Sequence, residues 1–157
     1  MQQNTMPPLT PDEEQKLEEL CAMSFDFARQ NDAQSLAILL QNGLNPNLSN
    51  HRGDSLIMLA SYHNSIDCVR LLLSHNADVD KPNDKNLTPL VGVCFKGYIE
   101  VAKLLLQAGA NPDKPNAMGL TPVDFAVMFR RKEILELLQT TSQKKLGFFK
   151  KLWLRFC

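Results

Sequence analysis

The sequence predicts an all-α solenoid of about four stacked helix-turn-helix units with short hairpin-like connections. Three observations predict it. Sliding the chain against itself by 33 residues aligns Gly53 with Asn86 and Gly119, Ser55 with Thr88 and Thr121, and Ala60 with Val93 and Ala126. The same shift aligns Leu71 with Leu104 and Leu137, and Gly43 with Asn76 and Gly109. Each period holds two short helical stretches separated by turn residues. No unit of this size buries its own apolar face, so neighbours must stack to hide it. The 157 residues are 44% apolar and 22% charged, which fits one globular domain rather than a disordered chain.

The chain divides into an N-terminal extension and capping helix (1–23), repeats over 24–139, and a basic amphipathic tail (140–157). The repeats run 24–49, 50–82, 83–115 and 116–139. The capping helix opens at Thr10-Pro11-Asp12-Glu13, a capping box with Pro in its first turn. Asp12, Glu13 and Glu14 suit the positive end of a helix dipole, and Glu18 and Glu19 suggest the polar outer face a terminal unit needs. The first unit lacks a Thr-Pro start, and Ala22-Met23 continue from the upstream helix instead.

In the second unit Asp54-Ser55-Leu56 lacks the Pro, which predicts a weaker helix start. In the third unit Thr88-Pro89 reads as an N-cap followed by Pro at the first helical position. Gly97 ends that helix, Ile99–Leu106 forms a second helix with an apolar stripe, and Gly109 stops it. Asn111-Pro112-Asp113-Lys114-Pro115-Asn116 is rich in turn formers and makes the connection. The fourth unit repeats the start as Thr121-Pro122-Val123.

With these residues in place the sequence resembles the ankyrin-repeat family, and in particular small single-domain bacterial members. Thr88-Pro89-Leu90 and Thr121-Pro122-Val123 match the family's T-P-L start, and Leu104–Pro112 matches its second-helix ending. The turn glycine stands at Gly53 and Gly119, with Asn86 between them, the residue next most tolerant of positive φ. The family's motif histidine is replaced by Met58, Val91 and Asp124. The resemblance implies a non-enzymatic protein-binding module with a concave face built from hairpin tips and first helices.

Chemistry is sparse. There is no GxxxxGK[ST] loop, no GxGxxG and no HExxH. Cys21, Cys68, Cys94 and Cys157 are 47, 26 and 63 residues apart with no CxxC pair, so neither a disulfide framework nor a zinc site is expected. The first three read as reduced, small core residues. Seventeen basic residues balance seventeen acidic ones, which gives no basic excess for nucleic acid. No secretory signal and no apolar run of spanning length is expected, so the location expected is cytoplasmic.

The candidate site is therefore a surface. Two places after Ala60, Val93 and Ala126 stand Tyr62, Phe95 and Met128, and one place further His63, Lys96 and Phe129. That offset turns a helical side chain roughly 200° from the core, toward the open side. Stacking aligns these residues into one stripe, joined by Arg29 and Gln30 of the first unit. One reading makes the stripe a patch that a partner protein covers. The other has these residues pack between units. Resemblance to bacterial members encoded beside catalases adds a haem-handling or oxidant-defence reading, with Tyr62 or His63 as iron ligand and Phe95 stacked on the ring. No cofactor is otherwise expected.

The neutral total hides an asymmetry: residues 144–157 hold five basic residues and no acid, leaving an acidic body. Phe149, Trp153 and Phe156 lie with Leu152 on one helical face, while Lys150, Lys151 and Arg155 fall elsewhere. Three roles stay open for this tail: covering the last unit at Ile134, Leu135 and Leu138, lying in an anionic membrane surface, or docking into a partner.

Overall fold

The computed structural model describes residues 7–141 and residue 155. Among them are eight helices: α1 (Pro11–Gln30), α2 (Ala33–Gln41), α3 (Leu56–Tyr62), α4 (Ile66–Ser74), α5 (Pro89–Lys96), α6 (Ile99–Gln107), α7 (Pro122–Met128) and α8 (Lys132–Thr141). The described residues hold no extended strand, and Ser49 and Ser55 form an isolated antiparallel bridge at the base of a hairpin. First helices pack in the order α1, α3, α5, α7, and second helices in the order α2, α4, α6, α8. Each first helix also packs on the second helix of its own unit, so two layers of helices enclose one core. Leu36, Leu56, Ile57, Leu72, Leu90, Leu105, Ile134 and Leu138 fill it, each at most 1% exposed.

Helix starts follow from local sequence. Thr10 accepts from the Glu13 N–H while the Glu13 carboxylate accepts from Thr10, closing the expected capping box. Helix α1 then runs unbroken for 20 residues through the 23/24 boundary, so capping helix and first unit are one element. Its first ten residues are exposed, and its second half buries Ser24 and Ala28. The second unit starts more firmly than its missing Pro predicts. Ser55 is the N-cap of α3, its Oγ accepts the Met58 N–H at 3.2 Å, and six of the seven helical residues are buried. Asp124, in place of the family's histidine, accepts from the N–H and hydroxyl of Thr121 and closes a second capping box.

Helix stops are equally periodic. All ten described residues with positive φ fall at three phases of the 33-residue repeat. Asn31, Asn64, Gly97 and Arg130 follow the first helices. Gly43, Asn76 and Gly109 follow the second, and Gly53, Asn86 and Gly119 sit in the hairpin tips. After α2, α4 and α6 a backbone N–H reaches back five residues, from Leu44 to Leu39, Ala77 to Leu72 and Ala110 to Leu105, a Schellman closure. Arg130, at φ 55°, holds a conformation its neighbours at that phase give to Asn or Gly.

The units are tied by backbone partners. Asn47 accepts the Asp78 N–H at 2.7 Å, and Asp80, one period on, accepts the Asn111 N–H at 3.0 Å. The Lys81 ammonium donates to the Asn47 carbonyl and the Lys114 ammonium to the Asp80 carbonyl. Half-burial raises the Asp80 pKa against the opposing pull of the Asn111 N–H and Lys114.

Candidate protein-binding face

The predicted stripe forms at the C-terminal ends of the first helices. Tyr62 ends α3, Phe95 is the penultimate residue of α5, Met128 ends α7, and His63 and Phe129 are C-caps. Because each helix is offset from the next by one stacking step, their rings meet. Tyr62 and Phe95 stack with centroids 6.4 Å apart and planes 7° from parallel. Phe95 and Phe129 meet edge to face at 4.6 Å and 88°. Phe125 lies beneath Phe129 at 6.4 Å. The result is an aromatic ladder across three units. It is packed on one side and open on the other: Tyr62 is 38% exposed, Phe129 37% and Met128 51%. The rings thus pack between units, as one sequence reading has it, and still present a surface.

Two residues not singled out by the sequence hold the ladder. The Arg131 guanidinium donates twice to the Phe95 carbonyl, at 3.2 and 2.9 Å, and caps the end of α5. Its side chain lies over Gly97, where an added Cβ would meet it at 3.0 Å. Gly92 gives Tyr62 room to lie flat, because a Cβ there would stand 3.2 Å from the Tyr62 ring.

The polar members gather at the other end of the ladder. The Lys96 ammonium sits 4.6 Å from the Tyr62 ring centroid. The His63 ring meets the same tyrosine edge-on at 5.8 Å. Arg29, on α1, pairs with Asp26 at 2.7 Å and faces the groove beside Tyr62 and His63. That groove, about 580 Å³, runs between the first helices and the tips carrying His51, Arg52 and Lys85. Partial burial, Arg29 and Lys96 together hold His63 below the usual histidine range, so it is neutral at pH 7.

The tips are built by an amide the sequence repeats in register. Asn50, Asn83 and Asn116 each accept two backbone N–H groups with Oδ1: from Arg52 and Asp54, from Lys85 and Leu87, and from Met118 and Leu120. The Asn83 amide also donates to Asp54 of the preceding tip at 2.8 Å. The Asp84 N–H donates to the Arg52 carbonyl, and Gly53 leaves space for that approach, since a Cβ there would collide with Asp84. At the last tip Met118 is 76% exposed.

Catalytic chemistry does not gather on this face. Burial raises the Cys68 thiol to about 11 and the Cys94 thiol to about 12, so both are inert. Cys21 is partly exposed. No cluster of three or more His, Cys, Asp or Glu suited to a metal occurs among the described residues. Haem fits poorly here: Phe95, which would stack on a porphyrin, is stacked on Tyr62, and Lys96 lies over that tyrosine. Of the tail candidates, Phe149, Lys150, Lys151, Trp153 and Phe156 lie outside the described residues, while Arg155 is helical and exposed. No described helix is long and apolar enough to cross a membrane.

Comparison with known proteins agrees with the repeat. A family model for ankyrin repeats in three copies matches residues 25–116, more than half of the chain. An ankyrin repeat protein of Pseudomonas aeruginosa is 54% identical over 61 residues, 39% of this chain and 36% of that protein. One of Fowlpox virus is 36% identical over 69 residues, 44% of this chain and 9% of that protein. The chain therefore matches about a third of the first relative's length and under a tenth of the second's. With its 33-residue period, paired helices and stacked hairpins, the chain belongs to the ankyrin-repeat family.

Proposed function

We propose that the protein is a non-enzymatic interaction module that holds a partner protein against its concave face. The observation that carries this reading is the aromatic ladder Tyr62–Phe95–Phe129, ordered by ring contacts across three units while more than a third of Tyr62 and of Phe129 stays open to solvent. Rigid, preoriented aromatic side chains lose little entropy on binding and are enriched at interface cores. Met128 extends the apolar strip, while Arg29, His63 and Lys96 set the orientation of what lies on it. Stacked repeats give the face its stiffness, so binding needs no folding step.

The test is affinity capture from the source cell's lysate, with the intact chain beside the double variant Tyr62→Ala, Phe95→Ala. A protein retained by the intact chain and lost by the variant supports the reading. Equal retention removes it. The variant loses ring contacts worth about 0.5–1.5 kcal/mol per pair, so its melting curve is recorded and capture is run well below its transition.

A further inference from the structure

The polar end of the ladder points to the chemistry of the partner. Two cationic or protonatable groups meet one tyrosine, Lys96 over its face and His63 at its edge, and Arg29 of the neighbouring helix lines the groove beside it. They come from three different units, so only stacking brings them together. Arg29 has its own carboxylate, Asp26. Lys96 instead sits against a ring, which leaves its charge unneutralised while the ring orients it.

The hairpin tips across the groove do not supply the missing anion. Asp54 accepts from the Asn83 amide, and Asp84 lies against Gly53 in the tip-to-tip contact, while Arg52 and Lys85 add two cations to the same tips. We propose that the Tyr62 end of this groove recognises a carboxylate on an extended acidic segment of the partner, seated among Arg29 and His63, which line the groove, and Lys96, which lies over the Tyr62 ring, with a neighbouring apolar side chain laid on the Tyr62–Phe95 stack. The inference rests on the concave-face reading above.

It has a pH signature. His63 is neutral in the free protein at pH 7, because both cations and its partial burial disfavour its charge. A partner carboxylate reverses that balance and raises its pKa, so binding takes up a proton. Affinity then rises as pH falls through the interval between the bound and free pKa values, and levels off below the free one. His51, at the rim of the groove, and the partner's own carboxylate near pH 4 are the other groups to control for.

The experiment selects random twelve-residue peptides displayed on phage against the full chain at pH 6, and measures the Kd of amidated synthetic versions at pH 7.5 and 5.5. Enriched peptides are expected to carry Asp or Glu within a few residues of an aromatic or aliphatic residue. They are expected to bind severalfold, up to about tenfold, more tightly at the lower pH, the limit for one proton linked across one pKa unit. His63→Gln should keep binding and lose the pH dependence, His51→Gln should keep both, and Lys96→Met should weaken binding with an unchanged melting curve. Basic or uncharged winners overturn the carboxylate inference, as does a pH dependence that survives in His63→Gln. If those winners still fail on Tyr62→Ala, Phe95→Ala, the concave-face reading stands alone. Winners indifferent to that double variant, or no winners, count against both.

Discussion

The hairpin tips and the ends of the first helices repeat with the same period, yet they use it differently. At the tips the repeated residue is one type, Asn50, Asn83 and Asn116, and its side chain is consumed by backbone N–H groups two and four residues on. At the helix ends the repeated residue changes, Tyr62, Phe95 and Met128, and the rings of Tyr62 and Phe95 meet side chains of neighbouring units rather than backbone. The comparison teaches how to separate scaffold from surface in a repeat protein. A position whose partner is its own backbone is fixed by the fold, and a position whose partners are other surface side chains is free to be fitted to a ligand.

Breaking the tip should therefore damage stability and spare the ladder. Asn83→Ala removes the acceptor for the Lys85 and Leu87 N–H groups and the bond to Asp54, three interactions at one stroke. Its expected cost is about 1–3 kcal/mol, the range for leaving partly buried polar groups unpaired. A thermal melt should show it as a fall of roughly 2–4 °C per kcal/mol for a chain this long. The near-ultraviolet circular dichroism of the aromatic rings and partner capture at low temperature should stay as in the intact chain. A variant with an unchanged melt would mean water replaces the amide without loss, and the distinction between tip and ladder would fail.

A smaller effect of opposite sign sharpens the comparison at the helix stops. Asn31, Asn64 and Gly97 meet the left-handed requirement with suitable residues, and Arg130 meets it with an unsuitable one. Arg130→Gly should raise stability by about 1 kcal/mol, the cost a non-glycine residue bears there less the extra unfolded-state freedom of Gly. If chemical denaturation shows a loss instead, the exposed Arg130 side chain contributes contacts that its backbone strain offsets.

Much of this was legible in the residues. The 33-residue unit with its two helices, the capping box at Thr10, the stops at Gly97 and Gly109 and the register of Tyr62, Phe95 and Met128 all follow from spacing and residue type, whereas the box at Thr121 and the run of α1 through residues 23 and 24 do not. Arg131 was not legible, since its bond to the Phe95 carbonyl spans 36 residues and has no counterpart one period earlier, where Tyr98 stands. The asparagine column was visible but mute, because an amide in a turn looks the same whether or not its oxygen is used. The strength of the α3 start was underestimated because a missing Pro is conspicuous and a serine cap is not. Ring geometry was out of reach, since it depends on the step between stacked helices.

The most direct measurement is photo-crosslinking. A photoreactive phenylalanine analogue is placed at Phe129, on the open side of the ladder, and in a second protein at Ile38, which is 59% exposed on the outer helix layer. Each is irradiated in the source lysate. The account predicts one discrete crosslinked species from position 129, lost in the Tyr62→Ala, Phe95→Ala background, and none in common from position 38. Equal crosslinking from both positions, or from position 38 alone, would contradict the claim that the concave ladder holds the partner.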